Sequence, residues 1–206
     1  MSTTEPGSAG ATADDEPPTG PVGPFPAAAV ATGRAGLLVP VVAGVGVAVA
    51  LGVYGRLHEP GAIAVDVAGF SGPAYVKAWL TTAAALLAVV QLLTAQAMYG
   101  RLGNWSPAWA PSVHRWAGRA AVLLTVPVVV HCLYALGFEY DRTRVLLHSV
   151  AGCLFYGAFV TKMLCLPRRG LPGWTLPVVG GLVFGALIVL WLTAALWLFT
   201  DQGVHL

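Results

Sequence analysis

Charge is what this chain has least of. Only 10% of its 206 residues are Asp, Glu, Lys or Arg, against 57% hydrophobic residues, and its mean hydropathy is +0.74. A water-soluble domain carries about a quarter charged residues, so this chain cannot cover a water-facing surface in the usual way. Its Lys and Arg residues form no cluster that would make a basic face, which argues against nucleic acid as a partner. Cysteine is also scarce. Three cysteines, an odd number set in apolar stretches, exclude a disulfide-stapled secreted fold. No P-loop, Ser/His/Asp set or paired carboxylates appear. No acid falls within a long apolar run, which argues against proton-coupled transport of the usual kind.

The acids that exist are uneven. Glu5, Asp14, Asp15 and Glu16 supply four of the nine. They belong to a stretch rich in Pro, Gly, Ala, Ser and Thr, with no apolar run to offset the entropy of ordering it. Residues 1–33 therefore read as a disordered acidic tail, without the basic start and apolar core of a secretory signal.

From residue 34 to 206 the chain is long apolar runs between single charges. Uncharged stretches of 21, 23, 19, 17 and 31 residues follow Arg34, Lys77, Arg119, Arg144 and Arg169. About 20 apolar residues are needed to cross the hydrocarbon core as a helix, and backbone groups in lipid must be paired internally. The expectation is an all-α, polytopic membrane helix bundle. Its five spans lie near 35–55, 78–99, 116–138, 145–166 and 174–199. Counting basic residues near span ends places Arg34, Arg101, Arg115, Arg119, Lys162, Arg168 and Arg169 on one side. Arg56, Lys77, Arg142 and Arg144 fall on the other. The positive-inside rule then sets the N-terminus in the cytoplasm and the C-terminus outside the cell membrane. Small-residue pairs, Gly181 with Gly185 and Ala48 with Gly52, offer close helix approaches.

The candidate chemistry lies in the histidines. His58 and His205 fall in solvated positions, whereas His114, His131 and His148 belong to spans three and four. An ionisable side chain inside a membrane is costly and marks a functional candidate. His131 lies eight residues before Glu139, and His148 seven after Asp141. Both therefore sit roughly 10–12 Å below the turn joining the two antiparallel helices. Two neutral imidazoles at one level suit a six-coordinate haem iron, and Pro127 could kink span three to open space for a flat macrocycle. His114 and Lys162 arrive near the opposite boundary. Lys162 can snorkel to headgroups, or act as a ligand, a partner for a carboxylate or propionate, or a proton-handling group; Met98 and Met163 are other potential inner ligands. Cys132, Cys153 and Cys165 read as small apolar packing residues, with soft-metal binding as the alternative. Gln91, Thr94 and Gln96 suit either interhelical hydrogen bonds or a quinone site.

The run His114-Arg115-Trp116-Ala117-Gly118-Arg119, the helix ending in Val130-His131, and His148-Ser149-Val150-Ala151-Gly152 carry a resemblance. They resemble the haem-binding core of ferric-reductase-like and ascorbate-reducible b-type cytochrome membrane proteins. The whole chain is similar to small five-span bacterial membrane proteins with no assigned function. The resemblance implies haem b, with His114, His131 and His148 as ligands and Arg115 and Arg119 facing propionates. It also implies electron transfer to or from a quinone or a redox partner protein. Those families hold two haems with four histidines, whereas this core has three. One haem between His131 and His148 is the better-supported site. A second on His114 needs Lys162, a methionine or another subunit opposite. With no nucleotide or flavin domain, the expectation is an electron-transfer subunit of an oxidoreductase. A cofactor-free accessory subunit and a metal or small-solute permease are the alternatives.

Overall fold

A computed structural model describes residues 35–61 and 70–205. The tail expected over 1–33, Arg34, and most of the segment between spans one and two, including Asp66, lie outside the described residues. The described residues are helical, with no strand among them.

Five helical spans run back and forth. Helix α1 covers Ala35–Leu57 and α2 Pro73–Met98. Helix α3 covers Ala110–His131 and runs on through a π-helical turn, Cys132–Leu136. Helix α4 covers Thr143–Cys165. The last span begins as α5 (Thr175–Leu190), widens into a second π-helical stretch (Trp191–Leu196) and ends as α6 (Trp197–Gln202). All five spans are long and apolar enough to cross a bilayer. Leu38, Val42, Leu86, Leu123, Leu154 and Leu182 are among the many large apolar side chains left exposed. Such a surface suits lipid, not water, so the protein is a multi-pass membrane protein.

The helices run past the charge-free windows at several ends. Helix α2 starts at Pro73, a residue suited to the first helical turn, and so takes in Lys77. Helix α3 starts at Ala110 and takes in His114 and Arg115. Uncharged stretches mark the hydrocarbon layer, whereas a helix continues into the headgroup region, where Lys and Arg are tolerated.

Two ends of the bundle can be distinguished. The hairpin end carries the α1–α2 and α3–α4 connections. Its described charges are Arg56, Lys77, Arg142 and Arg144 with Glu59, Glu139, Asp141 and Asp201. The opposite, basic end carries Arg101, Arg115, Arg119, Lys162, Arg168 and Arg169, and no acid among the described residues.

The packing order is a ring. Helix α1 packs on α4, α4 on α5, the last span on α2, and α2 on α3. The ring closes at the hairpin end, where the π turn after α3 meets α1. Although consecutive, α3 and α4 do not pack closely on each other.

Small residues set the close approaches. At the α1–α4 crossing, a Cβ on Gly157 would lie 2.6 Å from the Gly44 carbonyl oxygen and 2.9 Å from the Ala48 Cβ. Thr161 Oγ1 lies 3.2 Å from the Pro40 carbonyl oxygen across the same crossing and 3.0 Å from the Gly157 carbonyl oxygen on its own helix, with one proton shared between them. Gly181 and Gly185, by contrast, have open space beside them. Among the described residues, the small-residue pair on the last span therefore makes no close contact. Gly137 has a left-handed backbone (φ +72°), and a Cβ there would meet the Gly55 carbonyl oxygen at 2.8 Å. Only glycine fits this turn. Next to it Phe138 N–H donates to the same Gly55 oxygen at 2.7 Å, which pins the α3–α4 turn onto α1.

Candidate functional site

The gap between α3 and α4 encloses a cavity of about 90 Å³ in the hairpin-end half of the bundle. Thr125 and Cys132 line it from the third span, and His148, Cys153 and Tyr156 from α4. Thr81 of α2 and Leu187 of α5 complete the wall. Pro127 lies between the wall residues Thr125 and Val128, and its missing N–H leaves one helical carbonyl without its usual donor.

His148 is held by the last span. Its Nδ1 lies 3.0 Å from Thr193 Oγ1. Thr193 has one hydroxyl proton, and this is directed to the Val189 carbonyl at 2.6 Å. With that proton on Val189, the hydroxyl is an acceptor for His148, and the tautomer in which Nδ1 donates to it leaves Nε2 with a bare lone pair. The π-helical stretch makes this possible. It leaves the Thr193 carbonyl available to the Arg144 guanidinium at 2.6 Å, and Arg144 also stacks over the Trp197 ring at 3.8 Å. A π bulge inside a helix frequently marks a functional position.

His131 is buried, 7% exposed, but does not line the cavity; its neighbour Cys132 does. The two lie about 100° apart around the helix, so only one faces the space. His131 ends α3 and His148 lies in the second turn of α4, so both stand toward the hairpin end. The structure thus brings the two histidines to one end of the gap but gives only His148 a place in the wall.

His114 sits in the basic-end half, tied to α2. Its Nδ1 lies 3.0 Å from Thr94 Oγ1 and 3.1 Å from the Gln91 carbonyl oxygen. The Thr94 proton goes to the Val90 carbonyl, so Nδ1 of His114 is again the donor and Nε2 again bare. The Gln91 side chain donates to the His114 carbonyl. Gln91 and Thr94 thus make interhelical hydrogen bonds. Lys162 is close enough for its charge to act on His114. Arg115 and Arg119 stand exposed on their own helix. Arg115 donates to Ser112 at 3.2 Å and Arg119 stacks over Trp116 at 4.9 Å. Neither faces the cavity, because both project from the lipid side of α3 at the far end.

His58, expected in a solvated position, is half-buried. Its ring stacks on Tyr54 at 5.1 Å and lies 4.8 Å from Tyr134, and its Nε2 has no partner. His205 stays exposed, its backbone accepting from Trp79 at 2.8 Å. The three cysteines are free thiols. Among the described residues no group of three or more His, Cys, Asp and Glu side chains could hold a bare metal ion.

A family model, DUF6529, described as a family of unknown function, matches residues 37–206. The chain belongs to the DUF6529 family. No curated protein and no solved structure matches it. None of these comparisons shows a likeness of this DUF6529 protein to b-type cytochrome or ferric-reductase-like proteins; that expectation rests on its histidine motifs.

Whether haem suits those motifs can be tested on the cavity. The donor chemistry fits: His148 presents a bare Nε2 with its other nitrogen anchored, the arrangement metal-binding imidazoles adopt. The space does not. About 90 Å³ is well below the roughly 300–1,000 Å³ of ordinary ligand pockets. A hydrogen bond from Tyr156 to Thr125 joins the two helices across the gap at 2.9 Å.

Proposed function

We propose that this DUF6529 protein is a membrane electron-transfer subunit that takes up haem b between α3 and α4. His148 would hold the haem iron from the cavity wall, and His131, which does not line the wall, would have to turn into the gap to supply the second ligand. One observation supports this above the rest: an imidazole in the wall of an intramembrane cavity, fixed by Thr193 with Nε2 bare. Haem iron supplies a one-electron couple whose potential follows its ligands and surroundings. The chain's own residues do the rest. Thr193 orients His148, Arg144 holds Thr193, and the apolar wall keeps the local dielectric low. A cavity of about 90 Å³ is too small for a macrocycle, so loading would need the Tyr156–Thr125 link to open. Arg115 and Arg119 have no part in that site.

On this reading the N-terminus is cytoplasmic, because six described bases and no acid gather at the end where α1 begins. Electrons would pass to or from a quinone or a redox partner protein. A second haem on His114 has less behind it, since His114 does not line the cavity.

The small closed cavity favours a second reading, a cofactor-free accessory subunit that packs against a membrane complex. Haem content separates the two. The full chain is expressed with excess haem, purified in mild detergent, and assayed for haem per protein. The proposal expects about one haem per chain, falling to background in both His148→Ala and His131→Ala. Haem-free wild-type protein that is folded and monodisperse favours the accessory subunit.

A further inference from the structure

The ring of helices is open along one seam. Helix α3 packs closely only on α2, and the contact that closes the ring, between α1 and the π turn Cys132–Leu136, lies at the hairpin end. Toward the basic end, below the Tyr156–Thr125 bridge, no close packing of α3 on α1 or α4 is found among the described residues.

Lys162 stands on α4 at that level. It is half-buried in an apolar run, and its charge reaches His114 across the seam. Among the described residues no carboxylate or hydrogen bond is paired with its ammonium. The whole end holds five guanidinium groups besides Lys162 and no acid among the described residues. A cation at headgroup depth with no counter-charge among the described residues is a place for an anion to bind. In a bilayer the anion at that depth is a lipid phosphate, with acyl chains able to follow the apolar seam inward.

We infer that the seam between α3 and the α1–α4 pair binds an anionic phospholipid, its phosphate held by Lys162. Charge complementarity selects the headgroup. A net-negative lipid is preferred there over a zwitterionic one, whose own cation would face the same basic field. The inference does not depend on haem: it concerns the other half of the bundle and is read by lipid selectivity, not by colour.

The test uses the full chain, delipidated in a neutral detergent. Phosphatidylglycerol and phosphatidylcholine are titrated in turn and retained lipid is counted by native mass spectrometry. Wild type is expected to retain phosphatidylglycerol preferentially. Lys162→Gln should lower that preference about fivefold, the factor for one lost charge contact of about 1 kcal/mol at the membrane surface. Lys162→Arg should keep it, and exposed Arg169→Gln should change it less than Lys162→Gln. Equal retention of the two lipids by wild type, or an unchanged preference in well-folded Lys162→Gln, overturns the inference. Displacement of the lipid by water-soluble glycerol phosphate points to a free-phosphate site and also overturns it. So does loss of a haem band in Lys162→Gln with lipid preference intact, which makes Lys162 an iron ligand.

Discussion

Tyr156 donates its phenolic proton to Thr125 Oγ1 at 2.9 Å, while Thr125 sends its own proton to the Val122 carbonyl at 2.7 Å. This side-chain hydrogen bond joins α4 to α3 where their backbones stay apart. Tyr156→Phe and Thr125→Val should each cost about 0.5–1.5 kcal/mol, the usual range for interhelical hydrogen bonds. The double variant should cost little more than either single one. Reversible unfolding in detergent measures this; a doubled loss in the double variant shows that the two side chains act independently.

The α1–α4 crossing gives a second prediction. Gly157→Ala forces a methyl against the Gly44 carbonyl and should destabilise by about 1–3 kcal/mol, as overpacking does. Gly181→Ala and Gly185→Ala should stay within about 0.5 kcal/mol of wild type. The same unfolding assay decides between them. A large loss at Gly181 or Gly185 in the monomer contradicts this packing.

How far the sequence revealed this arrangement depends on which force set each feature. The five spans were legible because lipid tolerates so few charges that the uncharged runs stand out. Helix ends were less so: Lys77 looked like a boundary but lies inside α2, since a lysine stem can run within a helix near the headgroups. Depth along a helix follows from counting residues, which is enough to set His131 and His148 near one end. Rotation about the axis does not follow, and it put Cys132 in the wall in place of His131. Thr193 could not have been found as the partner of His148, because a lone threonine in an apolar run carries no signal until the last span is known to pack on α4. The glycine pair at 181 and 185 carried a motif but not the face it would use, while Ala48 of the Ala48–Gly52 pair does meet α4, at Gly157 beside Gly44.

Arg144 supports the last span through the Thr193 carbonyl and the Trp197 ring. Arg144→Gln should loosen the π-helical stretch and helix α6 beyond it. Hydrogen exchange over Trp191–Gln202 is expected to speed up roughly tenfold, the factor for about 1.4 kcal/mol of lost local stability, with α1 unaffected. Unchanged exchange across Trp191–Gln202 removes Arg144 from this role.

The charge asymmetry of the two ends predicts the orientation. A single introduced cysteine at Gly103, at the basic end, should be protected from a membrane-impermeant thiol reagent in intact cells, whereas one at Asp141 should react. The reverse pattern inverts the proposed topology.

Thr193 anchors Nδ1 of His148 and does not itself line the cavity. Thr193→Val should lower haem affinity about 10–100-fold, the usual effect of removing the partner behind a metal-binding histidine, and Thr193→Ser should restore most of it. Haem titration of the apoprotein measures this, and equal affinities in wild type and Thr193→Val contradict the positioning role.

The most direct test of haem ligation by His148 is the reduced-minus-oxidised absorption spectrum of the detergent-purified chain, made with haem in excess, beside that of His148→Ala. Soret and alpha bands are expected in the wild type, with their loss in a variant that still folds. A colourless wild-type protein, or bands that survive His148→Ala unchanged, contradicts haem ligation at this site.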